Sequence, residues 1–328
     1  MQMSVWNSFD VPEAGYVNLL NDAIKAVERR TPNLFTPVDS GFQILASDYS
    51  GQHRGSTHDV YSFVVTTLSD LQNWLPLRDD FRGRWLPDGR RLSFKQLREP
   101  LRRRAYPHFL EMCGALRGNI ITVMIDNKIG SLIDDGPEEL ATALDDCFAP
   151  NATPNSIEKI YRLALFVAMI VTGLRREDQP SLWISDHDET LDSFEKRERF
   201  ARLTTYLTFG LSRRQASADQ TFMTTLNEAL PDWGEDLAAI PDIAAGACAN
   251  LSDVLPLFVQ RKPWTVRFSC GDSVDWRSKV FADWLSSSKG ELRHVLLRLA
   301  PDSSGDIRAS AQHFVRKPHW PEHAVMQN

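Results

Sequence analysis

The sequence predicts an α/β fold: a mixed sheet with antiparallel first strands, then parallel strands, flanked by helices. Three observations predict it. The apolar segment "FQILASD" (42–48) is followed, after a polar loop, by the β-branched "VYSFVVTTL" (60–68), which is a hairpin pattern. "GNIITVMIDNK" (118–128) runs without polar alternation, as a strand covered on both faces does. The later part alternates helical patterns with a short strand, the order of a parallel crossover.

In chain order, "GYVNLLNDAIKAVERR" (15–30) places Leu19, Leu20, Ile24 and Val27 on one helical face. A Pro-rich link leads to the strand over 42–48 and its partner over 60–68, where Gly51 and Gly55 suit the turns between them. "FRGRWLPDGRRLSFK" (81–95) holds a Pro-Asp-Gly turn signal and is read as a third antiparallel strand. "FKQLREPLRRRAYPHFLEMCGAL" (94–116) reads as helical, with Pro100 and Pro107 as breaks or first-turn residues. The strand ending in Asp126 follows, then "SIEKIYRLALFVAMIVTGL" (156–174), a buried helix with Ser156 as N-cap and Gly173 near its stop. "PSLWISDHDE" (180–189) is a short strand directed parallel to the one ending in Asp126. "SFEKRERFARLTTYLTFGL" (193–211) is a further helix, and "AAIPDIAAGACANLSDVLPLF" (238–258) a small-residue helix with Asp242 near its start. The expected division is a helical lead-in over 1–40, a core over 41–260 and a Trp-containing extension over 261–328, which offers a surface for a protein partner.

Composition narrows the function. A net charge of -6 over 328 residues excludes a basic field over the whole molecule, so nucleic-acid binding would need local patches or metal ions. The four cysteines form no CxxC pair, which argues against a zinc site or disulfide framework and for a reducing cytoplasm. No signal peptide is read at the N-terminus, and the longest apolar run, "LALFVAMIVTGL", is too short for a bilayer, so no membrane partner is expected.

Carboxylates recur at strand ends: Asp48 on the first strand, Asp126 on the central one, Asp186 and Asp188 on the next, with Asp242 on the late helix. Ligands collect at the carboxyl ends of parallel strands. A cluster of like charges there calls for a cation, and oxygen-only donors select Mg²⁺ or Mn²⁺. Each acid alone also reads as a turn or capping residue. His187, between two acids, is a candidate proton shuttle. Arg98, Arg102, Arg103, Arg104 and Lys128, with Arg78, Arg82, Arg84, Arg90 and Arg91 upstream around Trp85, form the candidate phosphate-contacting set, or else a solvated face.

The ordered series "ASDYSG" (46–51), "ITVMIDNK" (121–128), "SLWISDHDE" (181–189) and "IPDIAAGACA" (240–249) resembles the ribonuclease H-like fold. It is similar to a bacterial family of unassigned function whose first strand ends Asp-Glu-Ser-Gly and whose late helix carries Ala-Asp-Leu. Tyr49 stands where that family has glutamate, and Pro241 where it has alanine; Glu99 and Glu111 are the candidates for a helical glutamate. The resemblance spans roughly residues 42 to 260. It implies a divalent-metal-dependent nuclease with Asp48, Asp242 and one or both of Asp126 and Asp186 as ligands, Asp188 substituting for Asp186, and RNA or DNA as partner. A catalytically inert binding or assembly module on the same core is the alternative. The Asp-x-Asp of "SDHDE" also suggests a phosphohydrolase of the haloacid dehalogenase type.

Overall fold

The computed structural model describes residues 4–9, 15–31, 33–38, 41–50, 56–176, 179–186, 191–212, 220–225, 230–255, 272–287 and 290–314. Helix α1 (Gly15–Glu28) precedes the strands β1 (Gln43–Ser50) and β2 (His58–Thr67). Then come α2 (Leu68–Trp85), a 3-10 turn (Phe94–Arg98), α3 (Pro100–Gly114), β3 (Gly118–Asp126), α4 (Pro137–Ala143) and α5 (Pro154–Leu174). The chain continues through β4 (Ser181–Ser185), α6 (Phe194–Ser212), β5 (Gln220–Thr224), α7 (Trp233–Leu251), α8 (Trp276–Ser287), β6 (Leu292–Pro301) and β7 (Ile307–Gln312).

The strands form one mixed sheet in the order β5-β4-β1-β2-β3-β6-β7. β1, β2 and β3 are an antiparallel meander, whereas β4 runs parallel to β1 and β5 parallel to β4. Strands β3 and β4 therefore point the same way, as the crossover rule expects, but β1 and β2 lie between them. β6 runs parallel to β3 and β7 antiparallel to β6, so residues after 261 extend the same sheet.

Alternate residues of the central strands face two separate apolar cores. Leu45, Phe63, Val65, Ile121 and Val123 pack with α1, α5 and α6 on one face. Ile44, Ala46, Val64, Ile120 and Met124 pack with α2, α3, α7 and α8 on the other. Such double coverage is why β3 shows an unbroken apolar run.

Four local expectations are corrected. The strand expected in 81–95 does not form; α2 runs through Trp85 and is capped by Thr67, whose Oγ1 accepts the Asp70 N–H at 3.1 Å. Its buried stripe is Leu71, Trp74, Arg78 and Phe81, a helical spacing masked in the sequence by the charged Arg78. The Pro-Asp-Gly turn is present directly after the helix, with Gly89 at φ 74°. Pro107 lies within α3 without ending it, while Pro100 is a first-turn residue. The N-cap of α5 is Thr153 rather than Ser156. Finally, α7 begins at Trp233, so Asp242 sits in mid-helix and is no first-turn acid.

Candidate carboxylate site

Three of the expected acids come together, and the sheet explains how. Ile44, Ala46 and Asp48 share the face of β1 that α7 covers. β1 and β4 are in register up to Ser47 and Ser185, so Asp186, the next residue, lies beside Asp48. Asp242 projects from α7 across the same face, and its carboxylate hydrogen-bonds Asp48. The small residues Ala244, Ala245, Gly246 and Ala247 let α7 sit close to the strands; a Cβ on Gly246 would meet the Phe94 ring at 2.3 Å.

Asp48 is only 9% exposed. Burial, then the Asp242 charge and the hydrogen bond to it, hold the Asp48 carboxyl well above the usual carboxylate range. Burial also raises Asp242, opposed by the hydrogen bond from Asp48 and by the Phe94 backbone N–H, which donates to Asp242 Oδ2 at 2.8 Å. Both carboxyls are raised by burial, so the pair favours sharing a proton between them.

Asp186 is held differently. Its Oδ1 accepts from Arg91 Nη1 at 2.7 Å and from Thr225 Oγ1 at 2.8 Å. The Arg91 and Asp186 side chains, 26% and 29% exposed, form the open end of the cluster. Arg91 lies beyond the Pro-Asp-Gly turn, where Arg102 Nε donates to its carbonyl at 2.8 Å and Arg82 Nη1 donates to that of Arg90 at 2.8 Å.

Next to Asp48 on β2 lies Ser62, whose Oγ meets Thr122 Oγ1 at 3.1 Å; that hydroxyl also contacts His294 Nε2 at 3.1 Å. Burial pushes His294 down to about 3, so this polar row adds no positive charge at neutral pH.

The other expected residues lie elsewhere. Ser62 pairs with both Asp48 and Thr122, so Thr122 is level with Asp48. Asp126 is two strands away and four residues further along, roughly 16 Å by strand spacing and rise. It caps a 3-10 turn, accepting the Lys128 N–H at 2.9 Å, as the turn interpretation expects. Arg102 is buried and bonds Glu99 and the Arg91 carbonyl, a structural use that removes it from a phosphate-contacting face. Arg98 approaches Asp275 at 3.5 Å, Arg103 lies over the Trp276 ring at 4.7 Å, and Arg104 is exposed on α3. Glu99 pairs with Arg102 and Arg90, and Glu111 with His108, so neither reaches the carboxylates. Tyr49 points to the opposite face of β1, where Lys159 lies over its ring at 5.2 Å. His187 and Asp188 lie outside the described residues.

Among the described residues, no three His, Cys, Asp or Glu side chains are grouped to hold one metal ion. The donor chemistry of Asp48 and Asp242 nevertheless fits a hard cation: two buried oxygen donors share a proton for want of charge compensation. Mg²⁺ needs only one or two protein carboxylates and keeps water in its other positions. An open cleft of about 410 Å³, lined by Asp145, Asp146, Glu195, Glu198, Arg199 and Arg202, lies on the α6 side of the sheet, away from this cluster.

Thr225 is the site residue that sequence reasoning missed, while Arg91 was read only as one member of a basic cluster beside the acids. The turn signal before Arg91 was legible, but nothing local tied it to Asp186. No helix among the described residues is long and apolar enough to cross a membrane. Comparison with models of known protein families and with curated proteins returns no match.

Proposed function

We propose that the chain is a divalent-metal-dependent phosphodiester hydrolase, a nuclease on a ribonuclease H-like core. One observation carries this reading. Asp48 and Asp242, from a central strand and the helix covering it, are buried in direct contact, with Asp186 beside them and Arg91 adding one positive charge. Two carboxylates buried in direct contact cost stability unless a proton or a cation compensates them. The strand order adds support: antiparallel first strands followed by parallel β4 and β5 is what the resemblance implies.

In this reading Asp48 and Asp242 would hold Mg²⁺ or Mn²⁺, and Asp186 would join them on leaving Arg91. Bound there, the cation would supply Lewis acidity to a phosphate oxygen and a more acidic water. To hold a cation Asp48 would have to give up its proton, so binding would strengthen as pH rises. Arg91 sits at the open end, where incoming phosphate meets positive charge. The exposed Arg103 and Arg104 on α3 are the remaining basic contacts for a nucleic-acid strand.

The test is cleavage of RNA, DNA and hybrid oligonucleotides with Mg²⁺ or Mn²⁺, comparing the unaltered chain with Asp48→Asn. Activity in the first and its loss in the second is expected; equal cleavage by both overturns the assignment. The inert-module reading draws on Arg91, which already compensates Asp186. An unaltered chain that binds no Mn²⁺ by calorimetry would favour that second reading.

A further inference from the structure

Arg91 uses only part of its guanidinium. Nη1 donates to Asp186, but Nε and Nη2 are buried and have no hydrogen-bond partner among the described residues. These two N–H groups form the side-on edge, a parallel pair that matches two oxygens of one phosphate or carboxylate. Arg277 shows the same edge in use: its Nε and Nη2 take Asp275 Oδ1 and Oδ2 at 2.9 and 2.7 Å. Buried donors without acceptors are costly and call for an explanation.

The edge is held in place. The backbone around it is fixed by Arg82 and Arg102 from α2 and α3, and Phe94, three residues on, is tied to Asp242. Asp48 and Asp242 lie within electrostatic reach of the same guanidinium, and neither hydrogen-bonds its side-on edge. The carboxylates thus leave unused the one part of Arg91 that is shaped for a second anion.

We propose that the side-on edge of Arg91 is the oxyanion seat of the site, taking two oxygens of a phosphodiester held beside Asp48 and Asp242. This rests on the nuclease reading for its substrate class. Arg91 would orient the phosphate between its fork and the carboxylate pair, and the site would select phosphate geometry through a bidentate contact that a lysine cannot make.

The experiment uses the full chain, Arg91→Lys and Arg91→Gln. Inorganic phosphate and a single-stranded oligonucleotide are each titrated in EDTA and with Mg²⁺, and Mn²⁺ is titrated separately. Lysine keeps the charge opposite Asp186 and loses the fork. The expected result is at least a tenfold loss of affinity for both phosphate probes in Arg91→Lys, with Mn²⁺ binding within threefold of the unaltered chain. In ¹⁵N spectra of the unaltered chain, an Arg Nε–H signal absent from both variants should shift on adding phosphate; this readout requires no tight binding by a variant. Equal affinities, no phosphate binding by the unaltered chain, or an unmoved Nε–H signal overturns the seat. Loss of inorganic phosphate binding alone, with oligonucleotide unaffected, overturns the phosphodiester assignment. Fork-dependent phosphate binding without any Mn²⁺ binding sinks the nuclease reading and upholds the seat; the converse pair of results does the opposite.

Discussion

Replacing Asp48 by asparagine tests the shared proton directly. Two carboxylates about 4 Å apart repel by about 4 kcal/mol at an effective dielectric of 20, so the pair holds a proton at pH values where exposed acids are ionised. Asp48 is raised in the folded chain and ordinary when unfolded, so folding takes up a proton. The sign follows: stability contributed by the protonated pair is present at low pH and is lost as pH rises towards the native Asp48 value. The loss is about 1.4 kcal/mol per pH unit for one proton. The amide introduced by Asp48→Asn donates an N–H to Asp242 without titrating. Urea unfolding in EDTA from pH 4.5 to 8.5 should therefore show the unaltered chain falling relative to Asp48→Asn at about that slope, until Asp48 ionises. The difference between the two curves removes other titrations, such as the lowered His58, common to both chains. Parallel curves would refute the shared proton and, with it, the charge argument for a cation.

Two further outcomes follow from buried charges. Asp236 is fully buried and binds both Arg78, at 2.6 Å from Nε, and Arg82; Asp236→Ala should cost about 3–5 kcal/mol in urea unfolding by removing the buried carboxylate those arginines share, and a loss below about 1 kcal/mol would show the network relaxes into solvent. The His294 imidazole signal should stay that of the neutral ring from pH 8 to 5 in NMR titration, because burial holds its pKa at about 3; titration near 6.5 would refute its enclosure.

Much of the architecture was legible because it rests on local patterns. β1, β2, β3 and β4 announced themselves by apolar runs, and α5 and α6 by helical periodicity. Where a pattern was interrupted, reading failed for a definable reason. α2 was missed because Arg78 occupies a position in its buried stripe, and its pairing with Asp79, Asp232 and the buried Asp236, the last 158 residues away, makes that charge tolerable. β5 has five residues and lies at the sheet edge, too short for periodicity to detect.

The site divides along the same line. Asp48 and Asp186 were identified from sequence because each follows an apolar segment at the end of a core strand, and Asp242 because it interrupts an apolar helical segment, although it lies in mid-helix rather than near the helix start. Asp126 satisfied the same description, and nothing local separates it from the other three. Strand order does: β4 inserts beside β1, while β2 holds β3 two strands away from it. Tyr49 was compared with a family acid by position, yet strand alternation turns it to the face opposite Asp48.

By itself, then, the sequence determined the strands β1 to β4, the helices α1, α3, α5, α6 and α7, and which acids end those strands, since these follow from periodicity and turn chemistry within a few residues. Only the tertiary structure decided which acids meet, because that depends on pairing between segments far apart in the chain. It also decided that Arg91 joins them, with one N–H on Asp186 and two left for another anion, a consequence of a turn held from two different helices.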